Sequence, residues 1–466
     1  MTVSDKAAVA AVEPGIIGKG RWIERWEPEN ELFWEARGKS IAFRNLVFSI
    51  VAEHIGFSVW LLWSIVVVRM YGTFDAATGE LVATGANGWA LTASQGFTLL
   101  AVASGVGAFL RVPYTFAVPV FGGRNWTVIS AVLLLIPTLG LAWAVQDPST
   151  PFGVLVAIAS TAGFGGGNFA SSMSNISFFY PDKEKGWALG LNAAGGNIGV
   201  AVAQKLVPLV IGIGALGLSA AGLVYVPLAL AAAVLAFLFM DNLREAKADP
   251  KPTAASLRHG HTWLMAFLYI GTFGSFIGYS AAFPTLLTVV FERADIALSW
   301  GFLGALIGSL SRPYGGKLAD RVGGAIITVG AFVVMAIAGI TAVVGVQQHS
   351  LGLFFVSFMV LFAATGIGNG STYRMIPSIF GRIQARKGSD TEESRLDFKR
   401  QAAGAVGIIS AVGAFGGFAI PFIYKIAKEQ TGTIVPALQI YVVVFLAMAV
   451  ITWVFYLRKG AEMRNV

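Results

Sequence analysis

Long, continuous apolar runs follow one another down this chain, with only short polar stretches between them. Each run is long enough, at about 20 residues, to cross roughly 30 Å of hydrocarbon as a helix. The runs do not alternate between polar and apolar positions, so they favour helices over the strands of a barrel. The pattern predicts twelve spans, at 41–71, 88–121, 126–145, 151–180, 185–210, 220–240, 261–292, 296–320, 324–347, 350–380, 400–427 and 434–457.

The composition supports a membrane protein. Hydrophobic residues make up 56% of the 466 positions and charged residues 12%, whereas a soluble domain has about 25% charged residues. Such a chain has too little polar surface to cover a soluble fold. We therefore expect an all-α integral membrane protein. There is no cysteine and there are only four histidines, so no metal site and no cofactor are predicted.

The positive charges predict the orientation. With both termini in the cytoplasm, 25 of the 33 lysines and arginines fall on the inner side, which is the bias of membrane proteins. We expect a multi-pass protein of the cell inner membrane with both termini cytoplasmic. The basic balance then reflects orientation in the lipid bilayer, and no nucleic-acid partner is predicted because no soluble domain carries a basic face.

The chain is divided into two related halves. The segment around Arg111 in the second span resembles the segment around Arg312 in the eighth, and Gly167-Asn168 matches Gly368-Asn369, each at an offset of 201 residues. Duplicated halves with a substrate site between them are a known transporter plan. We predict five regions: a cytoplasmic segment 1–40, a six-helix half 41–240, a cytoplasmic linker 241–260, a second six-helix half 261–457 and a cytoplasmic tail 458–466.

The two arginines at matching depth are the main candidates for chemistry. An arginine at the centre of a bilayer costs at least ~2.5–3.5 kcal/mol. One interpretation is that Arg111 and Arg312 reach the interface or pair with buried carboxylates, but Glu53 is the only acidic residue well inside a predicted span. The alternative is that they face one cavity and bind an anion. A guanidinium offers a rigid planar fork of donors, which suits a small planar oxyanion such as nitrate.

Two glycine-rich spans accompany the arginines. Their small-residue spacing is typical of close helix packing in lipid, and it also lets polar groups approach a substrate. Hydrogen-bonding side chains lie in the same stretches, at Asn192, Asn197 and Ser410. The glycines concerned are Gly195, Gly196, Gly199, Gly413, Gly416 and Gly417.

The chain resembles the nitrate/nitrite porter family of the major facilitator superfamily. The loop YGGKLADRVGG (314–324) is similar to a superfamily signature, and the stretches Gly186–Ile198 and Gly407–Ala419 look like the family's paired nitrate signatures. Similar stretches include LRVPYTF (110–116), GNFASSMSNISFF (167–179) and YIGTFGSFIGYSAAF (269–283). The resemblance implies the major facilitator fold and a monomer that carries nitrate, with nitrite as a second substrate.

The resemblance also implies roles for individual residues. Arg111 and Arg312 would ligate the anion, Tyr269 would donate its hydroxyl, and Asn197 and Ser410 would add polar contacts, with Asn192 nearby. Three aromatic residues would stack around the plane of the anion and close the path, although an aromatic residue in a span is more often packing. These are Phe57, Phe169 and Phe273.

Four ionisable residues within the predicted spans bear on energy coupling. Glu53, His54, Lys205 and Arg374 are candidates for a proton path, because intramembrane ionisable groups mark ion routes. AEHIGFSVW (52–60) and STYRMIP (371–377) look more like the proton-coupled branch of the family. We therefore expect nitrate/proton symport, with nitrate/nitrite antiport as the alternative. A Glu53–Lys205 ion pair of purely structural value is a further possibility.

Other functions are less well supported by the sequence. A sugar site would not need two arginines, and a larger anion would need a roomier cavity. A nitrate sensor would need an output domain, and no catalytic constellation indicates an enzyme. Transport of another small anion stays open.

Overall fold

Twelve helical spans form the bundle in the computed structural model, which describes residues 20–85, 87–213, 216–246, 250–386, 391–461, 463–464 and 466. The predictions for 1–40, 241–260 and 458–466 fall partly outside these ranges. The spans, numbered 1 to 12, are Glu31–Arg69, Ala93–Phe121, Gly123–Ala144, Phe152–Phe179, Asp182–Gly212, Gly217–Phe239, Gly260–Phe291, Ala294–Val322, Gly324–Gln347, Leu351–Arg386, Asp397–Thr431 and Val435–Leu457. The all-α class and the twelve predicted spans are confirmed.

Span 1 begins ten residues before its predicted start. The side chain of Asn30 accepts hydrogen bonds from the backbone amides of Leu32 and Phe33, which caps the new helix end. A π-helical turn at Trp34–Gly38 then joins this start to the long helix Lys39–Trp60. The hydropathy pattern did not predict this part of the helix because its composition is polar. Its buried residues pack on protein, and hydropathy detects only helices that contact lipid.

Several spans are interrupted within their length. Span 4 breaks between Phe152–Thr161 and Gly163–Phe179, and span 11 between Glu392–Ala414 and Gly416–Thr431. Span 7 contains a π-helical turn at Ile270–Gly274. Such irregularities are frequent at functional sites, and inside a membrane they are tolerated where protein covers them.

The duplication seen in the sequence is also visible in the packing. A β-carbon at Gly107 in span 2 would lie 2.3 Å from the indole nitrogen of Trp60 in span 1. A β-carbon at Gly308 in span 8 would lie 2.7 Å from the ring of Phe276 in span 7. Each half therefore uses a glycine at the same register to admit an aromatic ring from its first span.

Short strands lie at both ends of the bundle. Trp22–Ile23 pairs in parallel with Asn242–Leu243 after span 6, and Gly72–Phe74 forms an antiparallel hairpin with Leu81–Ala83 after span 1. The carboxylate of Asp241, next to the first sheet, is completely buried. It receives charged hydrogen bonds from two arginines and an amide, namely Arg21, Arg44 and Asn45.

Candidate functional site

Arg111 is completely buried at the centre of the bundle, so it does not reach the membrane interface. Its Nε donates to the carbonyl of Gly166 in span 4, at 3.3 Å. Its Nη1 donates to the hydroxyl and the carbonyl of Ser410 in span 11, at 2.9 Å and 3.3 Å. Arg111 therefore ties the first half to the second.

Two aromatic rings pack against this guanidinium. The centre of the group lies 4.5 Å from the ring of Phe169 in span 4 and 4.7 Å from the ring of Phe273 in span 7, and Trp60 is 5.4 Å away. Such contacts stabilise a desolvated cation by about 2 kcal/mol. The predicted aromatic residue Phe57 lies behind this layer, 6.0 Å from Phe169. One ring from each half thus shields the charge from water.

Arg312 is the second buried cation, with 6% of its surface exposed. Its guanidinium lies 5.7 Å from the ring of Tyr373 in span 10. Tyr269 stacks on Phe273 with ring centres 5.3 Å apart and lies near enough to both arginines for their charges to act on it. The structure therefore brings both arginines, Tyr269 and two of the predicted rings together.

Several polar atoms at this centre make no hydrogen bond to any described residue. They include Nη2 of Arg111, Nη1 of Arg312 and both amide atoms of Asn197. A buried donor left without a partner costs about 1–3 kcal/mol, and more when it is charged. Both halves retain such donors despite this cost, and these donors are available to form hydrogen bonds with a bound anion.

The three smaller polar candidates have different positions. Asn197 lies seven residues before Gln204, on the same face of span 5, and Gln204 donates to the carbonyl of Ser280 in the opposite half at 2.7 Å. Asn197 therefore faces the space between the halves. Ser410 holds Arg111, as described above. Asn192 instead donates to the carboxylate of Glu53.

Glu53 is completely buried and bonds to small polar groups rather than to Lys205. Its Oε2 accepts hydrogen bonds from the hydroxyl of Ser172 at 2.6 Å and from the amide of Asn192 at 2.8 Å. Arg111 and Arg312 both act on it electrostatically. The carboxylate therefore feels the two charges of the candidate anion site without contacting them.

His54 and Lys205, two further coupling candidates, lie away from this centre. His54 is half-buried, and its Nδ1 lies 3.1 Å from the carbonyl of Gly195. Lys205 is exposed, with its Nζ 3.3 Å from the carbonyl of Ser299 and 4.9 Å from the ring of Phe302. The structure does not contain the Glu53–Lys205 pair that the sequence left open.

Arg374, the fourth coupling candidate, is at the surface of the bundle. Its side chain is 53% exposed and forms an ion pair with Asp320, near the end of span 8. Both groups line a shallow cavity of about 380 Å³ at the predicted cytoplasmic end. Of the four candidates, Glu53 alone is buried beside the arginines.

The signature glycines lie where two helices nearly touch. In span 5, a β-carbon at Gly196 would lie 2.5 Å from Oε1 of Glu53, and one at Gly199 would lie 2.2 Å from the carbonyl of His54. In span 11, a β-carbon at Gly413 would lie 2.4 Å from the ring of Tyr269. Gly195, Gly416 and Gly417 make similar approaches to Ile50, Gly274 and Ile277.

Sequence reasoning did not single out three side chains of this centre: Trp60, Ser172 and Tyr373. A signal was available for two of them, because Ser172 and Tyr373 are separated by the same 201 residues that relate Arg111 to Arg312. Trp60 carried no comparable signal.

Twelve spans, a duplicated half and a buried pair of cations between the halves define a secondary membrane transporter. The sequence model of the Major Facilitator Superfamily matches residues 46–389. The fold is also that of a solved D-xylose–proton symporter, with a TM-score of 0.66 at 15% identity over 89% of this chain and 97% of that one. The chain is thus a transporter and not an enzyme.

Relatives with higher sequence identity indicate which family of the superfamily the chain belongs to. The nitrate/nitrite transporter NarU of Salmonella typhimurium is 41% identical over 93% of this chain and 96% of its own length. The probable nitrate/nitrite antiporter NarK2 of Thermus thermophilus is 33% identical over 95% of this chain and 98% of its own. The chain therefore belongs to the nitrate/nitrite porter family of the major facilitator superfamily, as the sequence motifs indicated.

Proposed function

We propose that this protein carries nitrate, and also nitrite, across the cell inner membrane, with the anion held between Arg111 and Arg312. The observation that carries the proposal is the pair of buried guanidinium groups from opposite halves, each with a nitrogen free of any described partner. The names of the curated relatives support nitrate and nitrite as the substrates.

The geometry suits a small planar anion. Each free guanidinium nitrogen can donate to a different oxygen, and the rings of Phe169 and Phe273 lie beside the guanidinium of Arg111. A weakly hydrated monovalent anion is easier to strip of water than sulfate or phosphate. The tyrosine hydroxyl of Tyr269 supplies a further donor.

Alternating access follows from the way Arg111 is held. Its bond to Ser410 joins the halves 41–240 and 261–457, so any rocking of one half against the other changes the grip on the anion. We propose that a monomer exposes the site to one side at a time, with both termini cytoplasmic. The glycine contacts let the first and seventh spans shift against the fifth and eleventh.

The test of the site is replacement of either arginine by lysine. Arg111→Lys and Arg312→Lys keep the charge and lose the planar fork, so nitrate affinity should fall at least about tenfold. Arg124→Lys is the matched control, because Arg124 is also buried but bonds the carbonyls of Phe237 and Gly20. Wild-type affinity in both site variants would overturn the proposal. Competition by chlorate, nitrite, chloride and small carboxylates defines the anion class.

We further propose that import is coupled to protons and that Glu53 carries the proton. An anion entering a cell that is negative inside works against ~2.3 kcal/mol per 100 mV, and more than one co-transported proton reverses this penalty. Charged Glu53 partly neutralises the two arginines, so its protonation strengthens anion binding. By linkage, a bound anion strengthens proton binding equally.

Uptake into proteoliposomes tests the coupling. An imposed inward proton gradient, with no internal nitrite, should drive nitrate uptake by the wild-type protein. Glu53→Gln should lose the dependence on the gradient while still exchanging labelled for unlabelled nitrate. Wild-type uptake that ignores the gradient would refute symport.

The second candidate is nitrate/nitrite exchange by the same site. The name of the Thermus relative, a probable nitrate/nitrite antiporter, favours it. In that case uptake requires internal nitrite, and Glu53→Gln leaves the rate of exchange and its pH dependence unchanged.

A further inference from the structure

The duplication gives Glu53 a counterpart in the second half. A separation of 216 residues relates Phe57 to Phe273 and Trp60 to Phe276, and the glycines that admit Trp60 and Phe276 confirm this register in space. The same separation relates Glu53 to Tyr269. The buried carboxylate thus occupies, in the first half, the position of the tyrosine beside the arginines.

The neighbours of Glu53 correspond as well. Ser172, which donates to Glu53, is related by 201 residues to Tyr373, whose ring centre lies 6.5 Å from that of Tyr269. Asn192, the other donor, is related to Ser410 by the 218 residues that also relate Gly195 to Gly413. The set Glu53, Ser172 and Asn192 is therefore the first-half copy of the set Tyr269, Tyr373 and Ser410.

The hydroxyl of Ser172 is the most connected group of the first-half set. It donates to Oε2 of Glu53 at 2.6 Å, receives a hydrogen bond from Nδ2 of Asn192 at 2.6 Å, and lies 2.8 Å from the hydroxyl of Ser49. Ser49, Ser172 and Asn192 are all buried. All the donors therefore point toward the carboxylate, as its charged form requires.

Few other charged groups face this pocket. Among the residues described, Arg111 in span 2 and Arg312 in span 8 act on Glu53, and Glu53 in turn acts on Tyr373 in span 10. His54, the next residue of span 1, turns to the carbonyl of Gly195. In span 6, Tyr225 is the titratable group near the same part of span 1, beside Ser58.

We propose that Ser172, with Ser49 behind it, is the positioning residue that lets Glu53 take up and release a proton. This inference rests on the proposed proton symport. When Glu53 gains a proton, its new O–H donates to Oγ of Ser172, and the hydrogen of Ser172 turns to Oγ of Ser49. The 2.8 Å contact between the two serines admits either direction. Glu53 keeps its hydrogen bond with Ser172 in both states without movement of a heavy atom, while the hydrogen of Ser49 turns away from Ser172.

The two serines should have opposite effects on the pH dependence of nitrate affinity. Ser172→Ala removes a donor to the charged carboxylate, so the midpoint should move up by about one to two pH units. Ser49→Ala removes the acceptor that the protonated state needs, so the midpoint should move down by a smaller amount. Ser171→Ala is the matched control, since Ser171 is buried next to Ser172 and bonds Asn168 instead.

The affinity is measured by titration calorimetry with nitrate, on the purified full chain across a pH series. If Ser172→Ala does not fold, Ser172→Cys, with a weak donor of similar size, should shift the midpoint in the same direction. A midpoint equal to that of the wild type in the Ser172 variants overturns the inference, as does a shift equal to that of Ser171→Ala. If Glu53→Gln keeps the wild-type pH dependence, the proposed coupling itself fails. If Glu53→Gln abolishes it while Ser172→Ala does not shift it, only the role of Ser172 fails.

Discussion

The contact between spans 1 and 5 predicts a large effect of a single methyl group. A β-carbon at Gly199 would lie 2.2 Å from the carbonyl oxygen of His54 and 3.0 Å from Oγ of Ser58. The shortest ordinary distance between a carbon and an oxygen atom is about 3.3 Å, so Gly199→Ala must separate the two spans by roughly 1 Å. Overpacking of this kind costs about 1–3 kcal/mol.

A second glycine of the same helix provides a control for this overpacking cost. A β-carbon at Gly190 would meet nothing within 4 Å. Gly190→Ala and Gly199→Ala gain the same helix propensity, about 1 kcal/mol, so their difference reports crowding alone.

Thermal unfolding in detergent and the maximal rate of nitrate uptake are the two measurements. We expect Gly199→Ala to unfold at a lower temperature than Gly190→Ala and to transport more slowly, because the displaced span 1 carries Glu53. Equal unfolding temperatures and equal rates in the two variants would refute the idea that this backbone contact controls the approach of the spans.

Two further substitutions distinguish residues that affect nitrate binding from residues that affect the stability of the fold. Phe169→Leu removes one of the rings packed against Arg111, and nitrate affinity measured by calorimetry should fall by about two- to thirtyfold, since such contacts contribute about 0.5–2 kcal/mol; unchanged affinity would contradict this. Asp241→Asn should lower the free energy of unfolding by about 1–2 kcal/mol, less than a fully buried pair because both arginine partners are about one-third exposed. Its nitrate affinity should stay at the wild-type value, and a change in affinity without a change in stability would contradict the structural role.

The sequence predicts the bundle well and singles out the two buried arginines, for physical reasons. Spans are long and uniformly apolar, so their number follows from hydropathy alone. A buried arginine is costly, so Arg111 and Arg312 stand out without any knowledge of their neighbours. Their common offset of 201 residues then predicts that they lie at equivalent positions in the two halves.

The partners of these residues could not be predicted in the same way. Ser172 is one serine among many small polar residues in span 4, and its role depends on the rotation of that helix relative to span 1. Lys205 and Arg374 looked equivalent to Glu53 in sequence, yet both are exposed in the structure. Hydropathy gives the depth of a residue in the membrane, and only packing gives the direction it faces.

The small parallel sheet near Asp241 has a consequence for the order in which the protein can assemble. Trp22 pairs with Asn242, which is synthesised 220 residues later, so the N-terminal strand must wait until span 6 has left the ribosome. It can then close the first six spans into a unit before most of the second half has been made. The bond between Arg111 and Ser410, by contrast, needs span 11. The strand pair at the edge of the first half can therefore form well before Arg111 can bond to Ser410.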